Sequence, residues 1–172
     1  MANITITVPG PLTTVQDLGR FGSRATGFTS SGVCDARSAV IANLLCGNDR
    51  NAAVLEMTLM GVTAQFDSDC VIALAGADMT PKLNGEAVSN YKAIAVKAGD
   101  TLALGFAVKG CRGYLAVSGG IAVPEVMGSR STALKYGVGG LEGRKLKAGD
   151  VLPIGTYDKL EKLLKKRFPN VK

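Results

Sequence analysis

Apolar and polar residues alternate with a period of two over Ile4-Thr5-Ile6-Thr7-Val8, and the pattern stops at Pro9-Gly10-Pro11. This predicts a first strand closed by a turn. From Val54 onward the chain reads as a succession of short β-favouring runs, at 54–59, 63–66, 71–75, 82–83, 93–97, 101–106 and 113–117, separated by turn residues. Asn84-Gly85, between Lys82-Leu83 and Glu86-Ala87-Val88, predicts a two-residue hairpin, because both turn residues tolerate positive φ. Lys97-Ala98-Gly99-Asp100-Thr101-Leu102 recurs as Lys147-Ala148-Gly149-Asp150-Val151-Leu152, so the same Gly-Asp turn feeds an apolar strand twice. One recurrence does not make a solenoid. It predicts two similar turns of one barrel or sandwich.

Two stretches follow a helical period instead. Residues 35–46 place Asp35 at an N-cap, apolar or helix-favouring positions behind it, and Gly47 as the stop. Residues 157–168 put Tyr157, Leu160, Leu163, Leu164 and Phe168 on one face, with lysines and Arg167 over much of the rest. The basic residues complement the C-terminal end of the helix dipole. This second helix reads as a packed terminal helix with a solvated face, or as a docking or linker helix. The fold class is therefore mainly β, with one internal and one C-terminal helix.

The chain has 172 residues, 47% of them hydrophobic, which suits one compact domain burying roughly 70% of its unfolded surface. With 22 glycines, 5% aromatics and no Trp, the core must come from Val, Ile, Leu and Ala, which favours many short strands and tight turns. The net charge of +6 looks like a nucleic-acid signal until it is located. Six of the 20 basic residues lie after residue 157 with only Asp158 and Glu161 of the 14 acidic ones, leaving 14 against 12 before it. A nearly neutral body with a basic tail disfavours a nucleic-acid binder.

No charged segment leading into an apolar one opens the chain, and no apolar run is long enough to span a bilayer, so a cytoplasmic protein without membrane contact is expected. Cys34, Cys46, Cys70 and Cys111 lie far apart and read as reduced, mostly buried thiols. The absence of histidine rules out Ser-His-Asp and Cys-His arrangements and, with no paired cysteines, makes a metal site unexpected. The glycine spacing at 105–110 lacks the lysine that a P-loop needs, since Cys111-Arg112 follow.

Three glycine-rich polar clusters remain, and a hydrophobic core requires none of them. Gln16-Asp17-Leu18-Gly19-Arg20 joins an amide, a carboxylate and a guanidinium. Arg20 could grip a carboxylate or phosphate while Gln16 and Asp17 orient a substrate amide, or Asp17 could cap a turn and pair with Arg20. Ser31, Gly32 and Asp35 lie at the predicted helix start, where N–H groups hold an anion or Asp35 serves as the cap. Gly128-Ser129-Arg130-Ser131-Thr132 is either a nest of donors for a negative group or a structural turn. Asp78 ends an apolar strand, a position from which a carboxylate can project into a cleft. Glu56, alternating with apolar neighbours, faces either solvent or a polar site.

The order and spacing of these segments resemble one family. Pro9-Gly10, Thr13–Asp17, Gly19-Arg20, Ser31-Gly32 with Asp35, Ala42-Asn43, Gly47-Asn48, Leu55-Glu56 and Gly76-Ala77-Asp78 carry the first part of the likeness. Arg112, Tyr114–Val117, Gly119-Gly120, 128–132, Gly139-Gly140, Gly143-Arg144 and Gly149-Asp150 carry the rest. The pattern is similar to the biotin-dependent carboxyltransferase, or allophanate hydrolase subunit 2, family. That family includes the C subunit of 5-oxoprolinase, the KipI antagonist KipA and the carboxyltransferase region of urea carboxylase.

The resemblance implies a cyclophilin-like closed β-barrel over residues 1–155. Residues 156–172 would form a basic helix or the start of a linker to a missing C-terminal half. It implies work with the B (KipI-like) and A subunits of 5-oxoprolinase in ATP-dependent hydrolysis of 5-oxo-L-proline to L-glutamate. One alternative is the carboxyltransferase component of a urea carboxylase system, with biotin carried on another chain. The other is a non-catalytic antagonist that binds a KipI-like inhibitor. On this reading Asp17, Asp35 and Asp78 are the catalytic candidates. Gln16, Arg20, Ser31, Arg130, Ser131, Thr132 and Arg144 are the candidates for binding substrate or anion, and ATP is shared with the partner proteins.

Overall fold

The computed structural model describes residues 2–158 and 160–167. The first strand, β1 (Asn3–Val8), and β2 (Thr13–Gln16) precede a 3₁₀ turn at Arg24–Thr26 and the helix α1 (Ala36–Leu45). Then come β3 (Val54–Thr58), β4 (Thr63–Phe66), β5 (Cys70–Asp78), the hairpin β6 (Lys82–Leu83) and β7 (Glu86–Ala87), β8 (Ala93–Val96), β9 (Thr101–Ala103) and β10 (Lys109–Val117). After a long irregular segment the chain closes with β11 (Val151–Pro153) and α2 (Leu160–Arg167). The expected hairpin turn is present, with φ of 52° at Asn84 and 88° at Gly85.

The strands do not close into a barrel, which corrects that expectation. They form two open antiparallel sheets, one six-stranded in the order β11-β1-β4-β9-β6-β7 and one five-stranded in the order β2-β3-β10-β5-β8. One gap lies between β2 and β11. Residues 118–150 are rich in glycine and serine and fold as turns and isolated bridges, so they supply no strand to join β2 to β11. Their backbone still covers these two of the four sheet edges, as edge protection requires. The Ala122 N–H donates to Pro153 O at 2.8 Å beside β11. The Thr132 N–H donates to Val15 O and the Leu146 N–H to Thr13 O, both at 2.9 Å, beside β2.

Strand alternation divides the core. Leu55 and Met57 of β3, Ile72 and Leu74 of β5 and Leu115 and Val117 of β10 point toward the six-stranded sheet and pack with Ile4, Ile6, Phe66 and Leu102. Their neighbours Val54, Ala73, Ala75, Tyr114 and Ala116 face the other way and meet Ala39 and Ala42 of α1 and its C-cap Cys46. Alanine on both sides of this second layer lets the helix lie close to the sheet. Asp35 caps α1 as expected, accepting from the Ser38 N–H at 3.1 Å and the Ser38 hydroxyl at 2.5 Å.

The sequence recurrence is a structural one. Gly99 N–H donates to Phe66 O and Phe66 N–H to Asp100 O, at 2.8 and 3.0 Å. Gly149 and Asp150 make the same pair of bonds to Ile6, each at 2.8 Å. In both turns the aspartate closes on its own lysine N–H, at 2.8 Å for Lys97 and 2.7 Å for Lys147.

None of the four cysteines is in a disulfide, and Cys46 and Cys70 are buried while Cys34 and Cys111 are exposed, so half of them depart from the expected burial. Burial pushes the Cys70 thiol up to about 12, which keeps it protonated. α2 begins at Leu160 rather than residue 157 and buries Leu163. Phe168, expected on its apolar face, lies outside the described residues.

Candidate active site

Asp17 follows β2 immediately and is only 4% exposed. Its Oδ1 accepts from the Gly19 N–H at 2.8 Å, the Ser129 hydroxyl at 2.7 Å and the Ser131 hydroxyl at 2.6 Å. Oδ2 accepts from the Arg130 N–H at 2.6 Å. Four donors on one carboxylate satisfy a buried charge, and they tie the 128–132 loop to the end of β2. The Asp17 carbonyl meanwhile accepts from the Val33 N–H at 2.9 Å, which brings in the segment before α1. Asp17 therefore organises three separate stretches of chain.

Close backbone approach explains the glycines in these clusters. A Cβ on Gly32, whose φ is +95°, would stand 2.8 Å from both Gly19 Cα and Leu18 O. One on Gly139 would stand 2.0 Å from Ser131 O and 2.9 Å from Arg20 Nη2. Only glycine allows these contacts. Arg20 is 1% exposed and does not pair with Asp17. Its Nε donates to Val126 O at 2.8 Å and its Nη2 to Ser131 O at 3.1 Å, so it holds the same loop from inside.

Ordering this loop shapes a cleft of about 240 Å³ on the outer face of the five-stranded sheet. Register puts its polar residues on that face: Thr14 lies opposite Glu56, Glu56 opposite Tyr114, and Thr58 opposite Arg112. Gln16, Ser31, Glu56, Arg112, Thr132 and Lys135 are among the lining residues. Ser31 is held in the left-handed region at φ 52°, an uncommon conformation for a residue other than glycine, asparagine or aspartate. Thr132 donates to Val15 O at 2.9 Å and thereby presses its loop against β2. Gln16 uses Nε2 on Thr14 Oγ1 and Thr132 O, at 3.0 and 3.1 Å, while its Oε1 is buried without a partner among the described residues.

Glu56 is the residue whose surroundings sequence reasoning left open, and the structure buries it. Its Oε2 accepts from the Cys34 N–H at 2.6 Å and the Tyr114 hydroxyl at 2.9 Å, and its Oε1 faces Arg112 Nη1 at 3.3 Å. Burial pushes the Tyr114 phenol above its ordinary range, with the Glu56 charge adding to the shift, so the hydroxyl remains a donor. The Tyr114 oxygen also accepts from the Asp35 N–H at 2.7 Å. Glu56 and Tyr114 thus fix the entry to α1 and the wall formed by Ser31 and Gly32. Arg112 entered the sequence reading as part of the family pattern and in the exclusion of a P-loop, not as a site candidate, and Lys135 did not enter it at all, because cross-strand register and loop folding are not local signals.

The other candidates lie elsewhere. Arg130 sends Nε to Val123 O at 2.9 Å and Nη1 to Glu125 at 2.7 Å, and lines a separate cavity of about 470 Å³ with Asn48, Asp49 and Gly119. Arg144 forms a fork with Asp150, at 2.7 and 3.0 Å, and also meets Glu142 at 2.8 Å. That pairing raises the Arg144 pKa and holds the Asp150 carboxyl below its usual range. Asp35 is the helix cap, lowered chiefly by the Ser38 hydroxyl. Asp78 is exposed and accepts from the Thr80 N–H at 2.9 Å. Of the ten candidates, Gln16, Ser31 and Thr132 line the cleft. Asp17, Arg20 and Ser131 stand behind it and hold its wall. Among the described residues no group of three or more His, Cys, Asp or Glu side chains could hold a metal ion. Among them, too, no helix is long and apolar enough to cross a membrane.

The fold is thus one of two antiparallel sheets whose cleft gathers amide, carboxylate and guanidinium groups. A family model for the carboxyltransferase domain, subdomain A and B, matches residues 26–170. The chain belongs to this carboxyltransferase domain family. It is 52% identical over 146 residues to the C subunit of 5-oxoprolinase from Escherichia coli (strain K12), covering 85% of this chain and 47% of the relative. It is 41% identical over 169 residues to urea amidolyase of Saccharomyces cerevisiae, covering 96% of this chain and 9% of that protein. Its structure superposes on the crystal structure of the Kluyveromyces lactis urea carboxylase with a TM-score of 0.87 at 40% identity, over 94% of this chain and 14% of that one. The chain thus spans about half the length of the 5-oxoprolinase relatives it matches, and a far smaller share of the urea enzymes.

Asp17→Asn replaces one acceptor oxygen with a donor that faces existing donors, and is expected to cost about 3 kcal/mol in urea unfolding. Asp78→Asn should change stability by less than about 0.5 kcal/mol. The lowered pKa values of Asp35 and Asp150 predict an acid limb. Each group adds stability above its unfolded value of about 4, and that stability is lost as the pH falls through the lower folded value. Arg144→Gln should remove the Asp150 share, so that stability measured from neutral pH down to pH 3 falls less in the variant than in the parent.

Proposed function

We propose that this chain is the N-terminal half of a protein of the 5-oxoprolinase C-subunit type. In this role it acts in the cytoplasm with the KipI-like B subunit, and with the A subunit, in ATP-dependent opening of 5-oxo-L-proline to L-glutamate. Residues 1–155 form its β-domain, and 156–172 lead toward the second half. The observation that carries this reading is the 52% identity to the 5-oxoprolinase relative over most of the chain. The charge of the cleft supports it, since Arg112 and Lys135 against Glu56 suit an acid better than a neutral molecule.

The chemistry is consistent with these groups. A lactam carbonyl is unreactive toward water, so its oxygen must first take the γ-phosphoryl group of ATP, releasing ADP. Water then adds to the activated carbon and the ring C–N bond breaks, the nitrogen taking up a proton to leave an acyl phosphate with a free amine. A second water hydrolyses that acyl phosphate, releasing phosphate and the open-chain amino acid. Guanidinium and N–H donors around such a carbonyl would stabilise the charge that develops. The cleft is smaller than the roughly 300–1,000 Å³ typical of drug-sized ligands, so the nucleotide is assigned to a surface shared with the partner proteins.

A second reading is carboxyl transfer from carboxybiotin to a urea-like acceptor. It is favoured by the 96% coverage against urea amidolyase. These residues contain no Met-Lys-Met biotinyl site, so the biotin would be carried outside them.

Purified chain is expected to release glutamate with stoichiometric ADP when combined with the second half of its own family, the A and B subunits, ATP and 5-oxo-L-proline. Release should cease when this chain is left out. Failure of the complete mixture to form glutamate would sink the 5-oxoprolinase reading, and carboxylation of urea by a mixture containing carboxybiotin would establish the second. Tight binding of the KipI-like protein with neither turnover would mark a non-catalytic antagonist.

A further inference from the structure

Residues 21–30 leave the fold and return to it without burying a single side chain. Their base is pinned where the Arg20 N–H donates to Ser30 O at 2.5 Å, beside the buried Arg20 side chain. Inside the segment the Thr26 and Phe28 N–H groups both donate to Ser23 O at 3.2 Å, and the Gly27 N–H donates to Arg24 O at 3.0 Å. The segment therefore holds its own shape, as a compact loop with closely spaced ends does. About 450 Å³ of open space is lined by Arg24, Gly27, Phe28, Thr29 and Ser30, all of them in the segment, so the body does not fill that side.

Beyond its base, one residue fastens it. The Tyr136 hydroxyl donates to Gly27 O at 3.0 Å, and the Tyr136 ring meets that of Phe28 with centroids 4.9 Å apart and planes tilted by 51°. Among the described residues no other hydrogen bond, ion pair or ring contact joins residues 21–29 to the body. Tyr136 has its own anchor, since its N–H closes a turn on Ala133 O at 3.0 Å, next to the loop that Asp17 holds. Its ring also carries the Lys135 ammonium, 5.3 Å from the centroid.

Thr29 lies on one rim of the cleft and Lys135 on the other, and each is next in sequence to a member of the Phe28–Tyr136 pair. The ring contact thus bridges one end of the cleft. Gly22, at φ +87° and with no atom within 4 Å of an added Cβ, gives the first limb a residue free to change its dihedrals.

We infer that residues 21–30 are a strap latched across one end of the cleft by Tyr136, and that the strap swings away on its base when that contact breaks. Tyr136 is then a positioning residue, because the ring that receives Phe28 also seats the Lys135 ammonium at the cleft rim. Opening belongs to the microsecond-to-millisecond range of such lids. The device is the same whichever substrate the cleft takes.

Distance measurement between two spin labels by pulsed electron resonance tests it, with Ala25→Cys on the strap and Glu86→Cys on β7. Cys34→Ser and Cys111→Ser remove the exposed thiols from labelling. A single distance is expected with Tyr136 in place. Tyr136→Ala should add a second, displaced population and raise the ratio of open to closed strap about tenfold. Tyr136→Phe keeps the ring contact and loses the hydroxyl bond, so a rise of about threefold is expected. Phe28→Ala removes the ring from the other side; it should also open the strap, and it decides the point if Tyr136→Ala does not fold. Amide exchange in β5 and β10 should be the same in all three variants as in the parent. One unaltered distance in both Tyr136→Ala and Phe28→Ala would overturn the inference. So would loss of protection in β5 and β10 alongside the second distance, because the whole fold and not a strap would then be loosening.

Discussion

The Asp17 carboxylate is the constraint on which the site depends. It sits at the end of β2 and accepts from Gly19, Ser129, Arg130 and Ser131, so one buried charge fixes segments more than a hundred residues apart in the chain. Arg20 reinforces the same loop through carbonyls at Val126 and Ser131. The result is a wall built from irregular backbone, which would otherwise be the least ordered part of a β-fold. Because the wall carries Thr132, whose carbonyl accepts from the Gln16 amide, the placing of Gln16 follows from the Asp17 network.

This arrangement accounts for the gap between β2 and β11. The segment that could supply a strand there is occupied with building the site. Residues 118–150 cover the edges of β2 and β11 by isolated backbone bonds, while their glycines and hydroxyls serve Asp17 and Arg20. Opposite this wall, Glu56 and Tyr114 hold the loop before α1. The cleft therefore lies between two independently fastened loops on a rigid sheet, a setting that suits a preorganised binding site.

The regular part of this structure was legible in the sequence because it rests on local signals. Period-two alternation placed β1, turn chemistry placed the Asn84-Gly85 hairpin, and Asp35 with Gly47 bounded α1. The repeated Lys-Ala-Gly-Asp turn was legible as a turn, and its common hydrogen-bond pattern agrees. The site was legible only as a set of clusters. Whether Asp17 touches a substrate or fastens a loop depends on where Ser129 and Ser131 arrive, which is a property of folding at long range. Arg144 was an anion-binding candidate through the family resemblance, yet its own Asp150 lies six residues on and takes it in a fork. Glu56 was ambiguous because an alternating strand has two faces, and only the packing of α1 shows that both are covered.

Amide hydrogen exchange in the parent chain and in Asp17→Asn tests the central role of Asp17 most directly. The account predicts that the Gly19, Arg130 and Thr132 N–H groups lose protection together in the variant, while those of β5 and β10 keep theirs. Unchanged protection at Gly19 and Arg130 would contradict it, because the loop would then be held by something other than the buried carboxylate.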